Sequence, residues 1–413
     1  MKNIYHKFIL ILFVIVATVN ISGCDFHTVS DKIFSNEETN TEENGTTEQK
    51  DTEKESNENV HKNQDGTKFY YAQLSSAEQE EYDAIYKGLI NHEEEIKLKI
   101  SDKDTLQKLY KAVLNDHPDI FWCDNSYKYS EQKVLFTRYA LIPQYLFTEE
   151  EIKTKQEQIE TAANICLSGI SKQDTDYHKI LYVYKYLIHQ TEYDEVAIRE
   201  NKIGEDQNID SVFLKKQSVC AGYARATQYL LNKLGVFCTY VEGTVDKSAD
   251  AHTWNLVMCE GDYYHVDTTW GDPVFSEDIP DNIPESAKIN YNYLCCNDEQ
   301  LFATHSLEVD SEFEIPECTK MDWNYYVVNH QYYTEYDSQK IWSVIKDDIT
   351  NKRETSVFKF SDRETYAQAC DQILNDYTRD GMRLIQKLYN KGSITCYHTD
   401  NEDEGLIQIY WKY

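Results

Sequence analysis

The 413-residue chain is predicted to be an α+β protein. Three observations carry this. Apolar residues recur at helical spacing over Ala77–Ile90, Thr105–Leu114 and Glu149–Leu187. Other runs alternate with period two, as half-buried strands do. Near the middle, a helical run that begins at Cys220 is followed closely by three strand-like segments.

The order of elements can be read along the chain. Ala77–Ile90 carries apolar residues at 82, 85, 86, 89 and 90. Ile96–Ile100 alternates as a strand. Ser101 or Asp102 is placed to cap the helix over Thr105–Leu114. Val134–Leu141 reads as a strand, and Glu149–Leu187 as mostly helix. Within the latter, residues 180, 181, 183, 184, 187 and 188 form one stripe. After Cys220, apolar positions 223, 224, 227, 230, 231 and 234 continue a helix, with Gly235 fitting its C-terminal cap. Phe237–Glu242, Ala251–Cys259 and Tyr263–Thr268 then read as strands, with Glu260-Gly261-Asp262 as a tight turn. Residues 98–116 and 358–376 are identical at seven of nineteen positions, including Ser101-Asp102 with Ser361-Asp362. Two related strand–helix modules would produce this match, and so would the common chemistry of strand–helix junctions.

Composition excludes some functions. The net charge is −31, from 72 acidic and 41 basic residues. Such a surface repels phosphate backbones, so no nucleic-acid partner is expected. Residues 31–66 alone hold 11 Asp/Glu and 4 Lys, a charge of −7, with almost no apolar residue. A segment of that kind cannot build a core. No CxxC or Cys/His spacing of zinc-finger type is present among the eleven cysteines, and no contiguous calcium loop. Neither metal nor cofactor is expected.

The N-terminus reads as an address. Phe8–Val19 is a 12-residue apolar run behind Lys2 and Lys7. As a helix it would span only about 18 Å, short of the ~30 Å hydrocarbon core. It therefore fits a signal-peptide core followed by Ile21-Ser22-Gly23-Cys24. This resembles the lipobox of bacterial lipoproteins, which implies cleavage before Cys24 and a diacylated Cys24 as membrane anchor. The expected organisation is a signal peptide (1–23), an acidic tether (24–66), an N-terminal α+β module (67–160), a catalytic domain (161–310) and a C-terminal α+β module (311–413). The expected location is extracytoplasmic, held to the membrane by lipid.

The chemistry concentrates between Ser211 and Pro273. Cys220 lies at or just before a helix N-terminus, where unpaired N–H groups and the positive end of the helix dipole favour a thiolate. Small Ala221 and Gly222 would leave room for a substrate beside the sulfur. His252 and Asp267 fall on two strands of a hairpin, and directly opposite residues have Cβ atoms about 5 Å apart. A nucleophile, a base and an orienting acid are the parts of a Cys–His–Asp triad. His265 shares the expected face of Asp267 and competes as base. Gln217, Trp254, Trp270 and Asp272 admit either site or structural roles.

C-A-G-Y-A at 220–224, A-H-T-W-N-L-V at 251–257 and G-D-Y-Y-H-V-D-T-T-W-G-D-P at 261–273 together resemble the core of the transglutaminase-like superfamily. Upstream Tyr193-Asp194 resembles the Tyr-Asp that often closes that family's preceding helix. The resemblance implies a papain-like fold, with the cysteine on a helix packed on an antiparallel sheet. It also implies Cys220 as nucleophile, His252 as base and Asp267 as third member. The expected reaction is acyl transfer through a thioester on a peptide, protein or cell-wall peptide. Hydrolysis makes the enzyme a peptidase or amidase, and an amine acceptor makes it a protein-crosslinking transglutaminase. A non-catalytic binding lipoprotein that retains the fold is the third reading. With Cys24 assigned to lipid and Cys220 to catalysis, nine cysteines remain. That odd number excludes a complete internal disulfide framework.

Overall fold

A computed structural model describes residues 68–133, 137–199, 204–245, 250–272, 288–308, 312–391, 394 and 396–413. The expected signal peptide, the expected lipidation site Cys24 and the expected acidic tether lie outside these residues, as do residues 134–136 of one expected strand.

The described chain divides into two units, one made of residues 68–269 with 298–319 and the other of 270–297 with 320–413. In the first unit, Ser75 and Glu78 close a capping box at the start of α1 (Ser76–Ile90). Ile96–Lys97 forms β1, and the pairing continues through the expected strand: the Leu98 N–H donates to the Tyr139 carbonyl and the Tyr139 N–H to the Ile100 carbonyl, each at 3.2 Å, with burial alternating through all of 96–100. Asp102 caps α2 (Lys103–Asp116), accepting the Thr105 N–H at 2.7 Å. A β2–β3 hairpin (Cys123–Lys133, Thr137–Tyr145) follows. The long helical stretch is two helices, α3 (Glu149–Leu167) and α4 (Asp176–Gln190). Thr148 and Thr175 cap them, and a Ser171–Asp174 turn separates them. The expected boundary at 160/161 falls within α3. On α4, five of the six stripe positions are buried, and Leu181 is half-buried.

Next come β4 (Glu192–Tyr193), a short α5 (Glu195–Arg199), β5 (Gln217–Ser218) and α6 (Cys220–Lys233). Leu234 caps α6, and Gly235 turns out at φ 77°. The strands β6 (Cys238–Val245), β7 (Asp250–Cys259) and β8 (Asp262–Val266) then run antiparallel in sequence order. Glu260 and Gly261, at φ 51° and 98°, form the two-residue hairpin turn between β7 and β8. Helix α6 lies against this sheet: Ala221 and Ala224 pack on Tyr240, and Asn255 Nδ2 donates to the Ala224 carbonyl at 2.9 Å. The strand β9 (Leu294–Cys296) belongs to the second unit. The chain then gives α7 (Asp298–Leu301) and β10 (His305–Leu307) to the first. There β10 pairs antiparallel with β6.

After the short α8 (Tyr325–Val328), the second unit holds β11 (Tyr332–Tyr333), α9 (Ser338–Thr350), β12 (Thr355–Phe360), α10 (Arg363–Asp371), α11 (Thr378–Tyr389), β13 (Cys396–Asn401) and β14 (Leu406–Trp411). Its sheet has the order β11-β12-β14-β13. Ile341, Ile345 and Ile349 of α9 join Phe358, Phe360, Ile385, Ile407 and Ile409 in its core.

Both copies of the repeat at offset 260 place a strand, an Asp cap and a helix in that order. Asp362 accepts the Thr365 N–H at 2.8 Å, as Asp102 does for Thr105. Beyond the caps the two copies diverge. Asp116 ends α2 in the core, whereas Asp376 is exposed after α10 has given way to a wider π-type turn at Gln372–Tyr377.

Asp116 fastens the start of the described chain. Its carboxylate accepts the Tyr70 and Tyr71 N–H groups at 3.0 and 2.9 Å and the Tyr82 hydroxyl at 3.0 Å. Burial raises its pKa to about 6, because these donors offset only part of the desolvation. A folded pKa above the unfolded value of about 3.9 means that this carboxyl's contribution is full below pH ~4 and is lost as pH rises through about 6. Urea titrations from pH 4 to 7 should therefore show a stability step in wild type that Asp116→Asn lacks; an identical pH dependence in the variant contradicts this assignment.

Candidate active site

The segment ahead of Cys220 is clamped before the helix starts. Backbone pairing sets Tyr193 beside Ser218, and the Asp194 N–H donates to the Ser218 carbonyl at 2.9 Å. The Ser218 hydroxyl donates to the Asp206 carbonyl at 2.8 Å and lies 2.7 Å from the Ser211 hydroxyl. The Val219 N–H reaches the Asp206 carbonyl at 3.2 Å. Val219 occupies the N-cap of α6, where a Ser, Thr, Asp or Asn would normally accept a first-turn N–H. Valine offers no such oxygen. The Gly222 N–H turns back onto the Val219 carbonyl at 3.0 Å, so the N–H groups of Cys220 and Ala221, ahead of that bond, are the ones placed to act on the sulfur of Cys220 or on an anion beside it.

The expectation that Gly222 leaves room for substrate is corrected. A Cβ there would sit 2.0 Å from the Ser218 hydroxyl and 3.0 Å from the Asp206 carbonyl oxygen. The missing side chain admits the clamp, not a ligand. Ala221, 1% exposed, packs on Tyr240 and is likewise unavailable to one.

Cys220, His252 and Asp267 come together. His252 Nε2 lies 2.7 Å from Asp267 Oδ2. With Nε2 so committed, Nδ1 is the nitrogen left to meet the Cys220 thiol, which hydrogen-bonds this imidazole. The register corrects one detail. Asn255 pairs with Val266, so Asp267, one residue past β8, continues opposite Trp254. His252 is therefore its diagonal neighbour on the same face, not its direct opposite.

All three groups are buried, with Cys220 at 6%, His252 at 4% and Asp267 at 0% exposure, so their charges act in a weakly screened medium. Burial opposes charge on His252, but the Asp267 carboxylate and the Cys220 sulfur outweigh it and push the pKa up to about 10. Burial likewise opposes the Cys220 thiolate, yet the hydrogen bond and charge of His252 hold the thiol below its ordinary range. Asp267 stays ionised in spite of burial because His252 and His305 both stabilise its anion. Both shifts favour a thiolate beside an imidazolium.

His265 shares this face but not this chemistry. The Trp254 indole N–H donates to its Nδ1 at 3.1 Å, so Nε2 carries the proton and donates to Asp298 at 2.8 Å. Both nitrogens are occupied, and burial lowers the pKa. The same proton order decides a possible metal cluster of His265, Asp298 and Cys318: an Nε2 that holds a proton cannot ligate, so these donors do not fit a cation. A second group, His252, Asp267 and His305, could take a cation only by losing the protons that bind both imidazoles to the carboxylate. Trp254 is fully buried against His305 and is a core residue. Trp270 stacks edge-on against Tyr293 in the second unit. Gln217 is exposed, and its backbone pairs with Glu192.

His305 carries no sequence signal of its own. It follows Asp267 by 38 residues and enters through a three-residue strand. Its Nε2 lies 3.0 Å from Asp267 Oδ2.

Residues 163–268 match the family model of the transglutaminase-like superfamily. The chain carries a transglutaminase-like domain. Its α+β fold, with the cysteine-bearing helix on an antiparallel sheet, is the one that the sequence motifs implied. The chain is 25% identical to mouse kyphoscoliosis peptidase over 137 residues, covering 30% of this chain and 21% of that protein. With the human kyphoscoliosis peptidase it shares 26% identity over 155 residues, covering 35% and 22%. It therefore spans about a fifth of the length of these curated relatives. Among solved structures it is similar to a TGase, with 14% identity, a TM-score of 0.27, and coverage of 47% of this chain and 55% of that one. A candidate cysteine protease from Cytophaga hutchinsonii gives 13% identity, a TM-score of 0.23, and coverage of 35% and 62%.

Placing a methyl at Gly222 should overpack the clamp. Gly222→Ala is expected to lose about 1–3 kcal/mol of stability in urea titrations. Wild-type stability in that variant would mean that the clamp does not hold α6.

Proposed function

We propose that this protein is a cysteine acyl-transfer enzyme, acting chiefly as a peptidase or amidase, with Cys220 as nucleophile, His252 as base and acid, and Asp267 as the group that orients His252. One observation carries the reading: a buried, hydrogen-bonded Cys220–His252–Asp267 chain that starts at an uncapped helix N-terminus. Each part has a role. The thiolate attacks a carboxamide carbonyl, and the N–H groups at the start of α6 stand where an oxyanion would form. His252 passes its proton to the leaving amine. The ionised Asp267 keeps the His252 Nε2–H pointed away from the sulfur and stabilises the imidazolium. Water then attacks the thioester, and His252 takes the proton from that water. The naming of the kyphoscoliosis relatives as peptidases supports hydrolysis over amine transfer.

The substrate class we infer is a peptide, a protein or the peptide of a cell wall. That inference joins the reading of Cys24 as a lipid anchor and of the acidic segment behind it as a tether. A coil of that length reaches roughly 35 Å from a membrane surface.

Two measurements test this reading. Iodoacetamide should label Cys220 selectively near pH 7, and His252→Ala should slow that labelling at least ~10-fold, as the thiol returns to an ordinary pKa. Equal rates in the two proteins sink the triad. A glutamine peptide offered with and without a primary amine should release free acid in both cases. Incorporation of the amine as the main product would instead identify a crosslinking enzyme.

A further inference from the structure

The triad as described leaves one buried titratable group unused. His305 enters the site from β10, whose register with β6 sets His305 opposite Val245 and Leu307 opposite Gly243. Gly243 in turn pairs with His252 on β7. Paired residues share a face and alternate residues return to it, so His305 and His252 point to the same side of the sheet. Gly243 makes this approach possible. A Cβ there would lie 2.1 Å from the Ser306 carbonyl oxygen and 2.6 Å from the Trp254 ring.

The hydrogen-bond geometry is specific. His305 Nε2 reaches Asp267 Oδ2 at 3.0 Å, the same oxygen that His252 Nε2 reaches at 2.7 Å. The other carboxylate oxygen, Oδ1, accepts the Thr269 N–H at 2.9 Å. His305 Nδ1 lies 2.8 Å from the Thr304 hydroxyl, which can donate to it. His305 is therefore set as a neutral donor through Nε2, and burial lowers its pKa in keeping with this. A buried carboxylate survives as an anion only when donors replace its lost water. His252 alone cannot both supply that stabilisation and cycle its own proton.

We propose that His305 is a positioning residue of the triad, holding Asp267 ionised and turned toward His252 through a second imidazole N–H on Oδ2. The proposal rests on the acyl-transfer reading above. His305 does not touch Cys220 chemistry directly; it acts through the carboxylate. The titratable groups around the cluster include Cys220 from α6, Tyr240 from β6, His252 from β7, His265 and Asp267 from β8 and its end, Asp298 from α7 beside His265, and His305 itself from β10.

The test is the pH profile of Cys220 alkylation by iodoacetamide in the full chain, for wild type, His305→Leu, His305→Gln and His252→Ala. The midpoint of the acid limb reports the thiolate–imidazolium pair and does not depend on how much of a variant folds. Leucine fills space but donates nothing, so His305→Leu should move the midpoint up by about one pH unit or more. Glutamine restores an N–H donor, so His305→Gln should return the midpoint to within about 0.3 units of wild type, a twofold change. A wild-type midpoint in His305→Leu overturns the proposal, as does an equal shift in both variants, which would indicate packing alone. His252→Ala separates the two levels: if it retains the wild-type rate and profile, the acyl-transfer reading has failed rather than the role of His305.

Discussion

A carboxylate kept ionised inside the protein is the constraint on which the site depends. Asp267 is completely buried, and moving such an ion out of water costs several kcal/mol even after relaxation. Donors that offset that cost include the His252 and His305 imidazoles and the Thr269 N–H. They arrive from β7, the first strand of the β7–β8 hairpin, from a strand on the far side of β6, and from the residues just past β8. Sheet order and the geometry of this site are thus one requirement. A slip of one residue in either strand pairing would turn His252 or His305 to the opposite face.

The same economy operates at α6. An N-cap side chain would stabilise that helix by roughly 1 kcal/mol. Val219 forgoes it, and the segment is held instead by Ser218, Ser211 and the Asp206 carbonyl packed against Gly222. The helix start is held in place, with the Cys220 and Ala221 N–H groups lying ahead of its first bonds to the Val219 carbonyl. A sulfur placed there gains from the helix end and from His252 together. His265, on the same face, shows what distinguishes a working histidine from a structural one. Trp254 donates to one of its nitrogens and Asp298 accepts from the other, so no lone pair is left to take a proton.

Much of this was legible in the sequence, for identifiable reasons. Helix stripes, the Glu260-Gly261 turn and the motifs around Cys220, His252 and Asp267 are local, and local patterns survive into the fold. Long-range facts were not legible. Nothing near His305 marks it as a partner of Asp267, because its role follows from β10 crossing back to pair with β6. The cramped surroundings of Gly222 depend on Asp206 and Ser211, residues whose approach no spacing reveals. The resemblance of residues 98–116 to 358–376 came from a shared order of strand, Asp cap and helix and stopped where burial diverged.

The chemistry of this site turns on the ionisation state of Cys220. Thiolate absorbance at 240 nm, recorded against pH as the difference between wild type and Cys220→Ser, measures it in the resting protein. A thiolate already present at pH 7, and lost only on acidification, is the predicted result. A signal that appears only as the pH rises through about 8.5, the range of an unperturbed cysteine, would contradict it.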